Sequence, residues 1–346
     1  VVVAACSNGA SQMSDTLPDE LHTAFDPETV RLWEPTRFRT VRKLQDAVRN
    51  HGEVHLMQDT DQKFVAVKTL PLKWVLRNHC EFLREHPREV EWPWQDLGAV
   101  SFLEKEAFPN LCRLQGVYAD DTQTYIVTDF APGGDLFSWA LDTQTPLGPE
   151  REAVCRPIVL ELLKGFRQLH NLSVSHMDIS CENLLIFRSL LNESPRPHVK
   201  IIDYGMCTNR RFLCGSLRGK AGYQAPELHL SEKTDTFLND TFSLGVVIYI
   251  LLLQDHPWAI TAPDGCKSFQ HLREHGFDSF AQARRLKRFS GRVCDFLSEP
   301  VTALLRGMLC VDPEKRLTLG ESCWVENRAS VWDNEWLQED KLDDSA

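Results

Sequence analysis

The reading of this chain turns on His176-Met177-Asp178-Ile179-Ser180-Cys181-Glu182-Asn183 and its follow-up, Asp203-Tyr204-Gly205. Asp178 and Asn183 frame a short loop, and the apolar run Leu184-Leu185-Ile186-Phe187 reads as a strand leaving it. A second strand, Val199-Lys200-Ile201-Ile202, ends on Asp203. Paired as a hairpin, the two strands bring Asp178, Asn183 and Asp203 to one mouth. A carboxylate and an amide there can ligate Mg²⁺, while the other carboxylate orients a hydroxyl. Asp and Asn also serve as plain turn residues, so the weight falls on what the rest of the chain supplies.

The order of these groups matches the division of labour in protein kinases, H-R-D-x-x-x-x-N followed by D-F-G. The chain resembles a eukaryotic protein kinase. Val65-Ala66-Val67-Lys68 matches the V-A-I-K strand, and Ala225-Pro226-Glu227 matches A-P-E. Asp240-Thr241-Phe242-Ser243-Leu244-Gly245 resembles D-x-W-S-L-G, and Asp312-Pro313-Glu314-Lys315-Arg316-Leu317-Thr318 resembles the arginine-bearing turn near the end of the domain. The resemblance runs over roughly residues 38 to 323 and implies an α+β bilobal fold, with a small β-rich N-lobe and a larger, mainly helical C-lobe. Residues 1–35 then form a loose arm, and 36–130 the N-lobe with an extended segment before helix C. Residues 131–323 form the C-lobe, and 324–346 a Trp-bearing extension. The resemblance further implies that Glu227 pairs with Arg316 inside the lobe and that Asp240 braces the loop around His176.

The same resemblance assigns a site. Asp178 orients the accepting hydroxyl, Lys68 holds the α/β-phosphates of ATP, and Asn183 and Asp203 hold Mg²⁺ or Mn²⁺. The plain alternative for Lys68 is an exposed lysine at a strand end. Val54, Ala66 and Leu185 would sandwich the adenine, and backbone groups of Asp129 and Ala131 would hydrogen-bond it. Thr128 falls at the gatekeeper position. Asp135, after the strand-breaking Pro132-Gly133-Gly134, is placed either to reach the ribose hydroxyls or to cap the next helix. Glu182 follows the Ser/Thr-kinase pattern, which implies a protein substrate with a Ser or Thr acceptor.

The chain departs from the family in several places. Where G-x-G-x-x-G-x-V belongs, it reads Ala47-Val48-Arg49-Asn50-His51-Gly52-Glu53-Val54, so only Gly52 and Val54 survive. Glycine matters there because backbone N–H groups must approach phosphate. Arg49 could make that contact through its side chain, or be an ordinary turn arginine. The helix C glutamate that should pair with Lys68 is also missing. Counting back from Pro109 lands near Ala99; Asp96 lies about a turn earlier, and Glu91 and Glu89 are further options. Helix C itself is expected over Leu97 to Glu106. Met177 stands where an arginine would pair with a phosphorylated activation loop, which implies activity independent of that phosphorylation. The family's Lys two residues after the catalytic Asp is Ser180, and the Thr of G-T-x-x-Y-x-x-P-E is Lys220. One hydroxyl and one ammonium remain with their places exchanged. Lys220 is therefore expected to put its charge on the transferring phosphoryl, and Ser180 to steady Asp178. Cys181 and Cys207 are expected to edge the nucleotide cleft. Val67-Lys68-Thr69-Leu70-Pro71 with Trp74, D-x-S-x-E-N, and Gly219-Lys220-x-x-Tyr223-x-x-Pro226-Glu227 are similar to the FIKK-type kinases of parasites, although the F-I-K-K string is absent. The eroded loop and unplaced glutamate also keep open a pseudokinase scaffold.

Composition is consistent with this reading. The 346 residues suffice for two lobes with a substantial core. A formal net charge of −11 argues against a nucleic-acid-binding surface. The 11 cysteines are scattered, without a C-x-x-C pair, which points to reduced thiols and an intracellular compartment. No apolar run reaches a membrane span, and Leu244 to Leu253 reads as a buried helix. The opening Val1-Val2-Val3 lacks a Met and reads as the cut end of a longer chain. Val154, Ile158, Leu162 and Phe166 recur at fours and mark an amphipathic helix over residues 150 to 170. Trp332 and Trp336, also four apart, read as one helical face docked on the lobe.

Overall fold

The computed structural model describes residues 20–75, 78–187, 198–230, 232–324 and 328–338. The expected surface loop Ser189 to His198 falls almost wholly outside them, as do the arm before residue 20 and the extension after 338.

Alternating side chains build the first lobe. Strands β1 (Arg31–Leu32), β2 (Phe38–Ala47), β3 (Gly52–Asp59) and β4 (Phe64–Pro71) are followed by helices α1 (His79–Glu85) and α2 (Pro93–Lys105). Strands β5 (Leu114–Ala119) and β6 (Gln123–Asp129) complete a sheet ordered β1-β5-β6-β4-β3-β2 among the described residues. Successive residues of a strand point to opposite faces. On β4, Val65 and Val67 are buried with Met57, Tyr118 and Val127, which turns Ala66 and Lys68 to the other face, over the cleft. Register places Ala66 opposite Thr128 and Val54 opposite Lys68.

Two expectations for this lobe are corrected. Residues 20 to 35 are not loose: 3-10 turns at Leu21–Ala24 and Pro27–Thr29 lead into β1, which pairs in parallel with β5. Leu21 is fully buried, and its carbonyl lies so close to α2 that a Cβ on Gly98 would come within 2.1 Å of it. Helix α2 also starts earlier than Leu97. Pro93 occupies its first turn, where a missing N–H costs nothing, and Trp92 is its N-cap. The long segment before it supplies core: Trp74 and Phe82 pack with Trp94 and Leu97 of the helix and with Phe25 and Ile126.

The second lobe is helical. Its elements are α3 (Leu136–Asp142), α4 (Pro149–Asn171), the hairpin β7 (Leu184–Ile186) and β8 (Val199–Ile201), the pair β9 (Phe212–Cys214) and β10 (Lys233–Asp235), α5 (Thr236–Leu253), α6 (Lys267–Ala283) and α7 (Glu299–Met308). The molecule is thus an α+β, two-lobed fold. Helix α5 is long and apolar enough for a membrane span, but all of its residues are buried in the lobe, where Asp240 faces His170 and the His176 loop. On α4, Ile158, Leu162 and Phe166 are buried, whereas Val154 stays exposed. Arg316 and Glu227 form a two-pronged ion pair, 2.5 Å and 2.9 Å, and the guanidinium also donates to the carbonyls of Leu238 and Cys310. Trp332 and Trp336 do not share a helix. They sit on successive 3-10 turns, Val331–Asp333 and Glu335–Leu337; Trp332 donates to the Leu319 carbonyl and Trp336 is buried against α4 and α7. Ten described cysteines are all free thiols.

Candidate active site

A cleft of about 670 Å³ separates the lobes. Its floor is set by the β7–β8 hairpin, with Leu184 opposite Ile201. Ahead of β7, Asp178 and Asn183 are held by a closed set of bonds. The Asn183 N–H donates to the Ser180 carbonyl at 3.0 Å and its side-chain amide to the Asp178 carbonyl at 2.8 Å, which leaves Oδ1 as its ligand atom. Asp240 accepts from the N–H groups of His176 and Met177 at 2.7 and 2.9 Å, bracing the loop from below. The His176 imidazole stands 3.0 Å from the Ile202 carbonyl and accepts from the Asp178 N–H, so it is neutral with the proton on Nε2; burial lowers its pKa accordingly. Met177 and Asp203 both adopt left-handed backbone, φ 67° each, a strained conformation that such packing sustains.

The expected side chains largely converge here. Lys68, Asp178, Asn183, Asp203 and Lys220 line the cleft, as do Val54, Ala66, Thr128, Asp129, Ala131, Asp135 and Leu185. Lys68 Nζ lies 3.8 Å from Asp203 Oδ1. Burial opposes its charge, yet Asp203, Asp96 and Glu91 hold its pKa above the usual lysine value. Asp203 is thus the acid within ion-pair distance of Lys68, while Asp96, in the first turn of α2, adds negative charge nearby and accepts from the Tyr204 N–H at 2.8 Å through Oδ1. Burial pushes the Asp96 carboxyl up to about 6, against the pull of Lys68. Burial and the neighbouring Asp203 push Asp178 up to about 7, against Arg49 and Lys220.

Several placements differ from the sequence reading. Gly52 does not line the cleft. A Cβ there would sit 1.8 Å from the Thr69 carbonyl, so its glycine serves the close approach of β3 to β4, not a phosphate. Asp135 takes one of its two expected roles: it caps α3, accepting from the Ser138 N–H at 2.8 Å while it borders the cleft. The Asp129 carboxylate turns to Lys63 and Gln115. Cys181 and Cys207 are fully buried behind the cleft rather than at its edge, and burial pushes both thiols far up. Glu91 does not pair with Lys68. One of its oxygens accepts from Arg49 at 2.6 Å and the other from Asn50 at 2.6 Å.

The exchanged pair lies face to face. Lys220 Nζ donates to Ser180 Oγ at 2.9 Å and stands 3.3 Å from Glu182. The Lys220 backbone N–H, not the Ser180 hydroxyl, steadies Asp178, at 3.0 Å from Oδ1. Ser180 steadies the lysine instead. The tight approach needs Gly219, with φ +85° and a would-be Cβ 2.7 Å from the Met177 carbonyl.

Compared with known proteins, residues 50–326 match the protein kinase domain. The chain belongs to the protein kinase domain family. Among relatives of this chain, the human serine/threonine-protein kinase DCLK3 is 28% identical over 230 residues, covering 66% of this chain and 33% of that protein. Calcium/calmodulin-dependent protein kinase type 1 of Macrobrachium nipponense is 27% identical over 242 residues, 68% and 63% of the two chains. Serine/threonine-protein kinase RAD53 of Saccharomyces cerevisiae is 26% identical over 288 residues, 78% and 31%. The chain thus spans less than two thirds of each of these relatives. Sequence reasoning left two site residues unassigned, Glu91 and Arg49. A signal for the first existed: Pro93 marks a helix start that leaves Glu91 ahead of the helix, free to turn into the cleft.

Proposed function

We propose that this kinase transfers the γ-phosphoryl of ATP to a Ser or Thr hydroxyl of a protein substrate. The observation that carries the reading is the convergence of Lys68, Asp178, Asn183 and Asp203 on one cleft that the apolar side chains of Val54, Ala66 and Leu185 also line. The acceptor hydroxyl is oriented by Asp178, which takes its proton as the hydroxyl oxygen bonds to phosphorus and the bond to the β-phosphate bridging oxygen breaks. A carboxyl raised to about 7 suits that exchange. Lys68 holds the nucleotide phosphates and Lys220 supplies positive charge where negative charge develops. Asn183 and Asp203 offer hard oxygen donors, the chemistry that Mg²⁺ or Mn²⁺ prefers. When bound, the ion neutralises phosphate charge.

The Ser/Thr assignment rests on Glu182 beside Lys220 and on the naming of the relatives as serine/threonine kinases or a calmodulin-dependent kinase. Trp74 packed behind the Lys68 strand, together with the Gly219-Lys220 spacing, supports kinship with FIKK-type parasite kinases. A pseudokinase scaffold is the second reading, favoured by the Arg49 guanidinium lying 3.3 Å from Asp178. Phosphate transfer from γ-labelled ATP to Ser, Thr and Tyr peptide libraries, with Mg²⁺ or Mn²⁺ and with Asp203→Asn alongside, separates them. Transfer to Ser/Thr peptides that Asp203→Asn abolishes is the expected result. No transfer by the unaltered protein with either ion would leave the scaffold.

A further inference from the structure

The turn joining β2 and β3 is a 3-10 turn, Val48–Asn50, closed by His51 in left-handed backbone. It carries none of the glycines that let a backbone cradle phosphate. What it extends over the cleft is the Arg49 side chain. Nη1 of Arg49 donates to Glu91 at 2.6 Å and reaches Asp178 Oδ2 at 3.3 Å. Asn50, the next residue, takes the other Glu91 oxygen. Two consecutive turn residues therefore grip one carboxylate, one oxygen each.

That carboxylate is itself fixed. Glu91 is buried, its neighbour Trp92 donates its backbone N–H to the Gly205 carbonyl at 2.9 Å, and Pro93 then opens α2. The turn is thereby tied through Glu91 to the Asp203-Tyr204-Gly205 segment. An ordinary surface arginine pairs with exposed carboxylates and is held loosely. Arg49 instead meets two carboxylates that are almost wholly buried, Glu91 and Asp178. It lines the cleft together with Lys68, Lys220 and Arg42. A guanidinium has five N–H donors in a planar fork that matches phosphate oxygens, and the contacts made here employ Nη1 alone.

We infer that Arg49 is a phosphate ligand for the terminal phosphate of the nucleotide, a side-chain replacement for the lost backbone cradle, with Glu91 and Asn50 as its positioning residues. The inference rests on the ATP-dependent reading above and extends it to a residue that the reading does not use.

The test compares binding of ATP, ADP and adenosine, each with Mg²⁺, by calorimetry on the full chain and on Arg49→Ala, Arg49→Lys and Glu91→Gln. Arg49→Ala should weaken ATP by roughly 10–100-fold, the loss of a charge-assisted pair of bonds, and leave adenosine unchanged. Arg49→Lys should recover part of the loss, and Glu91→Gln should lower the preference for ATP over adenosine without altering adenosine affinity. Arg49→Ala binding ATP as tightly as the unaltered protein would overturn the inference, and tighter binding would mean that Arg49 is a plug over Asp178. If the unaltered protein transfers phosphate while Arg49→Ala behaves identically, this inference alone fails. If the unaltered protein shows no preference for ATP over adenosine, the underlying reading fails with it.

Discussion

Replacing Lys220 by alanine isolates the exchanged cation. The side chain reaches Ser180 Oγ at 2.9 Å and Glu182 at 3.3 Å, whereas Asp178 is bonded by the residue 220 backbone N–H at 3.0 Å. Alanine keeps that N–H, so the orientation of Asp178 survives. What disappears is one ammonium. As a half-exposed pair with Glu182, it contributes only ~0–1 kcal/mol to stability. As a preorganised donor to developing negative charge, its loss costs about 10²–10³ in kcat. Lys220→Ala should therefore melt within a few degrees of the unaltered protein and lose kcat by that factor, with KM for ATP nearly unchanged. Because the pair acts as a unit, Ser180→Lys combined with Lys220→Thr should recover part of the loss. Initial rates over a range of ATP concentrations separate the two constants. An alanine variant with unchanged kcat would refute the exchange. So would a double variant no better than the alanine one whose melting temperature shows it folded.

Three further outcomes are expected. Met177 is buried with Met206 and Leu228, an apolar clasp on the activation segment where a phosphate-binding arginine is absent, so phosphatase treatment should leave activity intact; loss traced to Thr208 or Ser216 would contradict it. Arg316→Ala should lower unfolding free energy in urea by ~3–5 kcal/mol, because it strands Glu227 in the interior; a cost below about 1 kcal/mol would show that the pair is not structural. Buried His170 lies between Asp240 and Glu321, and although burial opposes its charge, these two acids hold its pKa at about 9. Its folded-state pKa is raised, so its contribution is complete below the ordinary value near 6.5 and disappears as pH rises through about 9. Stability should fall by an amount on the order of 3 kcal/mol over that window and flatten in His170→Phe; a flat profile for the unaltered protein would count against the charged imidazole.

What the sequence disclosed was what lies close together along the chain. Asp178 and Asn183 share one loop, Asp203 ends the paired strand, and Val65 to Lys68 carry their own alternation. Even the long-range pairs Glu227–Arg316 and Asp240–His176 were legible, because each partner sits in a recognisable string. Contacts without such strings were not. The direction of Arg49 depends on Glu91, 42 residues away, and no periodicity encodes it. The fixed course of residues 20 to 35 depends on Gly98 admitting the Leu21 carbonyl. Gly52 matches the motif's third glycine yet packs against the Thr69 carbonyl, so a matching letter pointed to the wrong partner. Cys181 and Cys207 follow the loop's numbering but face the lobe interior, a matter of side-chain direction that spacing does not reveal.

The most direct measurement of phosphotransfer is a single-turnover experiment in which the protein, in excess over γ-labelled ATP and Mg²⁺, is mixed with a Ser/Thr peptide, and Asp178→Asn is run in parallel with ATP binding measured for both. In the proposed reaction Asp178 contacts the accepting hydroxyl, and its replacement by an isosteric amide would remove the proton acceptor while the Lys220 N–H can still meet the side-chain oxygen. Binding should be equal within a few-fold, and transfer should fall by about 10²–10⁴, the span expected of a general base. Equal transfer by the two proteins, or none by either while both bind ATP, would contradict the assignment of this cleft as a phosphotransferase site.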